Sequence, residues 1–262
     1  MAQKIVQVDA FAEKPFTGNP AAVCILDSAA DESWMQSVAM EMNLSETAFL
    51  YPEGDDYQLR WFTPTVEVAL CGHATLASAY VLFSDGHVPR DQKITFHTKS
   101  GALHAVADGE WIGLNFPATP PKPTELPVDL IRALKVEPVY VGRPRFDYLI
   151  EVASEEIVRT LAPDHSAIAA CKVRGVIITA RGSGEYDFVS RFFAPGAGVS
   201  EDPVTGSAHC ALTPYWAGKL GRSEFTAFQA SKRGGRLKVR LEGDRVILMG
   251  KALITLRGEL TV

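Results

Sequence analysis

Tyr57-Gln-Leu-Arg60-Trp-Phe-Thr-Pro64 and, later in the chain, Tyr186 followed by Arg191-Phe-Phe-Ala-Pro195 are two versions of one strand end. Each Arg-aromatic-Phe-x-Pro segment runs through a short loop into a glycine that opens a helix of small residues. In the first copy the helix reads Gly72-His73-Ala74-Thr75-Leu76-Ala77-Ser78-Ala79-Tyr80; in the second it reads Gly206-Ser207-Ala208-His209-Cys210-Ala211-Leu212. Downstream, Phe96-His-Thr-Lys-Ser-Gly101-Ala-Leu-His parallels Phe228-Gln-Ala-Ser-Lys-Arg-Gly-Gly235-Arg-Leu-Lys. The offset between copies stays at about 131 to 134 residues, and three blocks in one order at one offset indicate an internal duplication. The expected fold class is therefore α+β, with two pseudo-symmetric domains, each a curled, barrel-like β-sheet around a central α-helix.

Working outward, Lys4–Ala10, Ala22–Leu26, Thr47–Tyr51, Tyr57–Phe62 and Ile94–Thr98 read as strands from their alternation or β-branched content. Asp31–Met42 reads as a helix, with Asp31 as N-cap and Trp34, Val38 and Met42 at helical spacing. Gly72–Phe83 is apolar or small on every face, as expected of a helix surrounded by protein. Pro117, Pro120, Pro121 and Pro123 precede Pro127, a density that interrupts both helix and ladder. The expected organisation is residues 1–117 as the N-terminal half, 118–127 as a Pro-rich linker and 128–262 as the C-terminal half. The last strand could join either half.

The chain has 262 residues, 47% of them hydrophobic and 22% charged, the balance of a globular protein with a large core. A net charge of −5 without a basic block argues against a nucleic-acid partner. No apolar run is long enough to span a bilayer and the N-terminus lacks signal-peptide character, so a cytoplasmic protein without a membrane partner is expected. The four cysteines, Cys24, Cys71, Cys171 and Cys210, are scattered and form no CxxC pair, which fits reduced thiols.

Gly72-His73 and Thr205-Gly206-Ser207 open the two central helices. A helix N-terminus offers unpaired N–H groups and about half a positive charge, suited to a carboxylate or phosphate. A glycine there also serves simply for a tight turn; two in equivalent places favour an anion site. Ser45-Glu46-Thr47 places a carboxylate between hydroxyls at the mouth of an apolar strand. Withdrawal from water disfavours the charged carboxylate and suits it to proton transfer, although a solvated turn glutamate has the same local sequence. Asp202, just before the second glycine turn, could hold a proton, orient a substrate or cap the turn. His73 is a candidate proton carrier. Cys71 is a candidate thiol base or simple packing. There is no GxGxxG, Walker A, HExxH or GxSxG motif, and no spacing typical of a zinc or calcium site. Proton transfer on a small anionic or zwitterionic molecule, with no cofactor and no metal, is the chemistry that remains.

Asp9-Ala-Phe, Thr17-Gly18-Asn19-Pro20-Ala21-Ala22-Val23, Asn43-Leu44-Ser45-Glu46-Thr47-Ala48-Phe49, Arg60-Trp-Phe-Thr-Pro64, Gly72-His73-Ala74-Thr75 and Glu201-Asp202-Pro203-Val204-Thr205-Gly206-Ser207-Ala208 together resemble the phenazine-biosynthesis PhzF-like family. The blocks span the chain in the family's order. The resemblance implies a diaminopimelate-epimerase-like fold, an active site in the cleft between the halves, a homodimer and a cofactor-independent isomerase activity. By motif position Glu46 takes the acid/base role, with His73 and Asp202 contacting polar groups of the substrate. Ser45 lies alongside, and Gly72, Thr205, Gly206 and Ser207 line the substrate. Related epimerases use two facing cysteines; Cys71 matches the first, and no cysteine precedes Thr205-Gly206 to match the second. Two rivals follow: a racemase or epimerase dependent on Cys71, and a binding module without turnover.

Overall fold

The computed structural model describes residues 2–261. The chain forms two compact units, Met1–Asn115 with Met249–Val262, and Phe116–Leu248. The first contains β1 (Gln3–Ala10), β2 (Asn19–Ile25), α1 (Glu32–Met42), β3 (Glu46–Glu53), β4 (Asp56–Phe62), β5 (Glu67–Val68), α2 (Gly72–Ser84), β6 (Ile94–Thr98), β7 (Gly101–Asp108) and most of β8 (Trp111–Pro117). The second contains β9 (Lys122–Pro123), α3 (Val128–Leu134), β10 (Tyr140–Arg143), β11 (Tyr148–Glu151), α4 (Glu155–Thr160), α5 (His165–Ala170), β12 (Val176–Arg181), β13 (Phe188–Ala194), β14 (Val199–Asp202), α6 (Gly206–Leu220), β15 (Glu224–Gln229), β16 (Gly235–Glu242) and most of β17 (Arg245–Gly250). The last strand, β18 (Ala252–Leu260), belongs to the first unit and pairs antiparallel with β1 along its whole length.

Each unit repeats one pairing pattern. In the first, β2–β3 is parallel, β3–β4 and β4–β5 antiparallel, β4–β6 parallel and β6–β7 antiparallel. In the second the same order runs β11–β12, β12–β13, β13–β14, β13–β15 and β15–β16. The arginines that mark the duplication hold equivalent ion pairs. Arg60 grips both oxygens of Glu67 at 2.8 and 2.7 Å, and Arg191 both oxygens of Glu201 at 2.6 and 3.0 Å. A bidentate pair fixes the planar guanidinium and ties each strand end to the hairpin that follows it.

The central helices follow from composition. Every residue of α2 from His73 to Phe83 except Tyr80 is buried, and the helix packs on β1, β2, β3 and β18. Ala74, Ala77 and Ala79 let the sheet backbone come close, and Leu76 and Leu82 fill the space between. In α6, Trp216 stacks on Phe188 with ring centroids 5.8 Å apart. Pro214 sits inside α6 and has no N–H to give to the carbonyl four residues before it. That carbonyl, Cys210 O, accepts instead from Thr119 N–H at 2.9 Å. The Pro-rich stretch 118–127 thus lies within the second unit, where Lys122–Pro123 also pairs with β10.

Helix α1 starts where Asp31 accepts hydrogen bonds from the N–H groups of Ser33 and Trp34, and ends at Asn43 in the left-handed region (φ 49°). Its buried face is Met35, Val38 and Ala39, one position round from the Trp34–Val38–Met42 stripe, whose outer members are half-buried. That short helix returns the chain so that β3 starts in register with β2. No helix among the described residues is long and apolar enough to cross a membrane.

Candidate active site

The parallel pair β2–β3 places Ala21 opposite Glu46, so Asn19 and Glu46 lie at the same end of adjacent strands. The N-terminus of α2 arrives at that end. Residues Thr47 to Leu50 are buried on both faces of the sheet, and Glu46, at the strand's first position, is half-buried. Glu46 Oε2 lies 3.1 Å from His73 Nε2, with side-chain exposures of 18% and 6%. The pair is an ion-pair contact, and Glu46 Oε2 is a buried carboxylate oxygen without a well-formed hydrogen bond. On the other edge of the ring, Asn19 Nδ2 is 3.2 Å and Cys71 Sγ 3.5 Å from His73 Nδ1. An amide can present N–H to a bare nitrogen or, turned over, C=O to a protonated one, so Asn19 can support His73 in either protonation state.

Burial opposes the imidazolium of His73, but its interactions with Cys71 and Glu46 outweigh that and hold the pKa well above the ordinary histidine value. Burial, with Glu46 adding to it, pushes the Cys71 thiol up to about 11. At neutral pH the Cys71 sulfur therefore carries its proton. The arrangement is a carboxylate beside an imidazole at the start of a buried helix, two groups of the kind that carry out general acid–base chemistry.

The second unit has its own cluster at the equivalent helix start. Cys71 and Thr205, which precede the two helices, share an extended backbone (φ −144°, ψ 109° and φ −114°, ψ 107°), and neither side chain caps its helix. Thr205 Oγ1 donates to Asp202 Oδ2 at 2.5 Å and accepts from Gln229 Nε2 at 3.1 Å. Gln229 also accepts from Thr205 N–H at 2.9 Å and donates to Asp202 O at 2.7 Å. Its fully buried amide locks the Asp202–Thr205 turn. Ser207 Oγ accepts from Arg174 Nη2 at 3.2 Å, while Arg174 forks onto Asp147. Burial raises the Asp147 pKa, against the opposing pull of Arg174.

The structure thus brings Glu46 and His73 together, with Cys71 against them, Gly72 as the first residue of α2, and Ser45 half-buried in the turn before β3. Asp202, Thr205, Gly206 and Ser207 form the other group. Sequence reasoning did not single out Asn19, Gln229, Arg174 or Asp147. Asn19 lay inside a quoted block and Gln229 inside a repeated one, so both carried a signal; the Arg174–Asp147 pair, 27 residues apart, carried none.

A family model described as phenazine biosynthesis-like protein matches residues 8–258. The chain belongs to this phenazine biosynthesis-like family. Among its relatives are an uncharacterized isomerase of Halalkalibacterium halodurans, 56% identical over 262 residues and 99% of each chain, and one of Pseudomonas aeruginosa, 51% identical over 97% of each. The crystal structure of a phenazine biosynthesis protein of the PhzF family from Enterococcus faecalis superposes with a TM-score of 0.96 at 42% identity, covering all of both chains. A hydroxyproline epimerase from Agrobacterium vitis shares the fold alone, at TM-score 0.64 and 12% identity over 99% of this chain and 94% of that one. The family member described here is accordingly an isomerase with the diaminopimelate-epimerase-like fold, and the reading as a binding module without turnover falls away.

Proposed function

We propose that the chain is a cofactor-independent isomerase that moves a proton on a small carboxylate- or amino-bearing substrate, with Glu46 as acid/base and His73 as its partner. The observation that carries this reading is the 3.1 Å approach of Glu46 Oε2 to His73 Nε2 at the N-terminus of a buried helix. A carboxylate in that position takes a proton from a substrate carbon; His73, held through Asn19, binds a polar group of the substrate and supplies or receives the balancing proton. The roles of Ser45, Gly72, Asp202, Thr205, Gly206 and Ser207 in substrate binding rest on the family resemblance, as does a homodimer.

The test is deuterium uptake from D₂O into small amino and hydroxy carboxylates, including dihydroxylated cyclohexadiene amino acids, by wild type and Glu46→Gln. Uptake at one carbon by wild type, reduced about 10²–10⁴-fold in Glu46→Gln, is the expected result. Uptake that survives in the variant refutes the role of Glu46. A second reading, a racemase dependent on Cys71, is favoured by the 3.5 Å contact between Sγ and His73 Nδ1. It requires loss of exchange in Cys71→Ser with Glu46→Gln active, and the protonated state of the buried thiol weighs against it.

A further inference from the structure

The shared strand register matches the two units residue by residue. Arg60, the first marker of the duplication, pairs with Phe49, and Arg191, the second, with Ile178. Phe49 in turn pairs with Cys24, and Ile178 with Ile150. Followed back along the chain from those pairs, Asn19 corresponds to Arg145, Ser45 to Arg174 and Glu46 to Gly175. The starts of α2 and α6 match His73 with Ser207. Where the first unit has Asn19, Ser45 and His73 around a carboxylate, the second therefore has two arginines and a serine, and a glycine in place of the acid. We propose that Arg145, Arg174 and Ser207 form a binding site for a carboxylate group, through which the protein selects carboxylate-bearing substrates.

Gly175 leaves no room for a counterpart of Glu46: a Cβ there would meet the Phe192 ring at 2.3 Å and Asp147 Oδ1 at 3.1 Å. Arg174 is fixed on several sides. Its Nε donates to Asp147 Oδ1 at 2.8 Å, and its Nη2 to Asp147 Oδ2 and, at 3.2 Å, to Ser207 Oγ. The guanidinium also lies 5.1 and 5.8 Å from the ring centres of Phe146 and Phe192. Nη1, the remaining nitrogen, donates to none of the described residues, and the side chain is 40% exposed. Arg145 lies over the same Phe146 ring at 4.8 Å and, among the described residues, has no carboxylate partner. Two guanidiniums thus share the single carboxylate of Asp147 and keep a net positive charge. A planar guanidinium already held by a fork and by aromatic rings loses little freedom on meeting an anion, and Ser207 has its own O–H to donate. An arginine that only meets solvent requires neither the buried carboxylate behind it nor the glycine that makes room for that carboxylate. Anion binding stands on the second unit alone; that the anion is the substrate's carboxylate rests on the proposed function.

The test titrates the full, isotope-labelled chain with benzoate, and with benzamide as its neutral counterpart, following backbone amide and arginine Nε–H signals by NMR. Benzoate should shift the signals of Arg145, Arg174 and Ser207, and benzamide should not. The benzoate Kd should rise about 10–100-fold in Arg174→Gln, the range for a hydrogen bond to a charged group. Because that variant strands the buried Asp147, Arg174→Gln combined with Asp147→Asn is measured beside it. Arg145→Gln, at an exposed position, should raise the Kd about two- to fivefold, as for an exposed ion pair. In the D₂O exchange assay the same variants should raise KM for a carboxylate substrate with little change in kcat. No benzoate response in wild type, an equal response to benzamide, a response confined to Gly72 and His73, tighter binding of inorganic phosphate, or unchanged affinity in the folded variants would each overturn the site. The titration needs no turnover, so its outcome is separate from that of Glu46→Gln. Exchange that depends on Glu46 while KM stays unmoved in the arginine variants would overturn the selection of substrates alone.

Discussion

Acid should loosen the second unit through a single histidine. His209 is fully buried in α6, where Nδ1–H donates to Thr205 O at 2.8 Å and Nε2 has no hydrogen-bond partner. Burial pushes its pKa down to about 4, against about 6.5 in an unfolded chain. Between these values the unfolded chain holds a proton that the folded chain does not, so stability falls as pH falls. The contribution is intact above about pH 6.5 and is lost progressively down to the folded pKa. For a drop from about pH 7.5 to about pH 5 the loss is about 2 kcal/mol, rising to ~3 kcal/mol below pH 4. Hydrogen exchange of α6 peptides, corrected for the intrinsic pH dependence, reads the opening free energy of this unit without assuming that the whole chain unfolds as one. In His209→Asn the amide nitrogen sits near the place of Nδ1 and still donates to Thr205 O, but cannot titrate. The wild-type acid loss should exceed that of the variant by about 2 kcal/mol. Equal losses would show that His209 is protonated in the fold or is not the source.

Other perturbations test the frame around the site. Leu76→Ala empties a position with no solvent exposure in α2 and should cost ~2–5 kcal/mol, read as a lowered urea midpoint. Gly18→Ala should cost at least ~1–2 kcal/mol and weaken Glu46-dependent exchange, because Gly18 has φ +68° and a Cβ there would meet Ala10 O at 2.2 Å, displacing the neighbouring Asn19. Arg191→Met strands the half-buried Glu201 carboxylate and the carbonyls of Val158 and Leu161, and should cost ~1.5–3 kcal/mol by the same melt. In native protein without added metal near pH 7, iodoacetamide should modify Cys171 first and Cys71 slowly, since the Cys71 thiol is pushed up to about 11; peptide mapping showing Cys71 as the fastest site would contradict that protonation state.

Much of this was legible because the chain says it twice. The Arg-aromatic-Phe-x-Pro blocks marked β4 and β13, and the glycines after them marked the starts of α2 and α6 to the residue. The all-round apolar composition of Gly72–Phe83 identified a buried helix without any periodicity. The pairings that assemble the site were harder to read. Glu46 and His73 are 27 residues apart, and only the parallel register of β2 and β3 and the landing point of α2 bring them to 3.1 Å. Motif reading works along one local segment, so a Glu46–Cys71–His73 cluster built from two elements escapes it. The bond from Thr119 to Cys210 O is a consequence of Pro214, a residue whose effect appears only once the helix around it is known.

The duplication also sets the two helix starts side by side for comparison, with different residues on equivalent turns. Identical pairing in both units gives two equivalent positions, Cys71-Gly72-His73 and Thr205-Gly206-Ser207, on the same extended-to-helical turn. A two-base mechanism with a thiol on each side needs a cysteine at both; here the second position is a threonine whose hydroxyl is committed to Asp202 and Gln229. An alkyl hydroxyl in that network donates and accepts hydrogen bonds but does not take a proton from carbon near neutral pH. The first position has a cysteine, but burial keeps it protonated, and the acidic residue at the start of β3, Glu46, stands beside His73. The duplicated scaffold therefore supplies two helix N-termini with different neighbours, and on the proposed function they divide the work: proton transfer at Glu46 and His73 beside the first, and hydrogen bonding at Asp202, Thr205 and Ser207 beside the second. On this argument Thr205→Cys alone would not create a second base, because Gln229 and Asp202 would still hold that turn and its buried thiol would stay protonated, as the Cys71 thiol does.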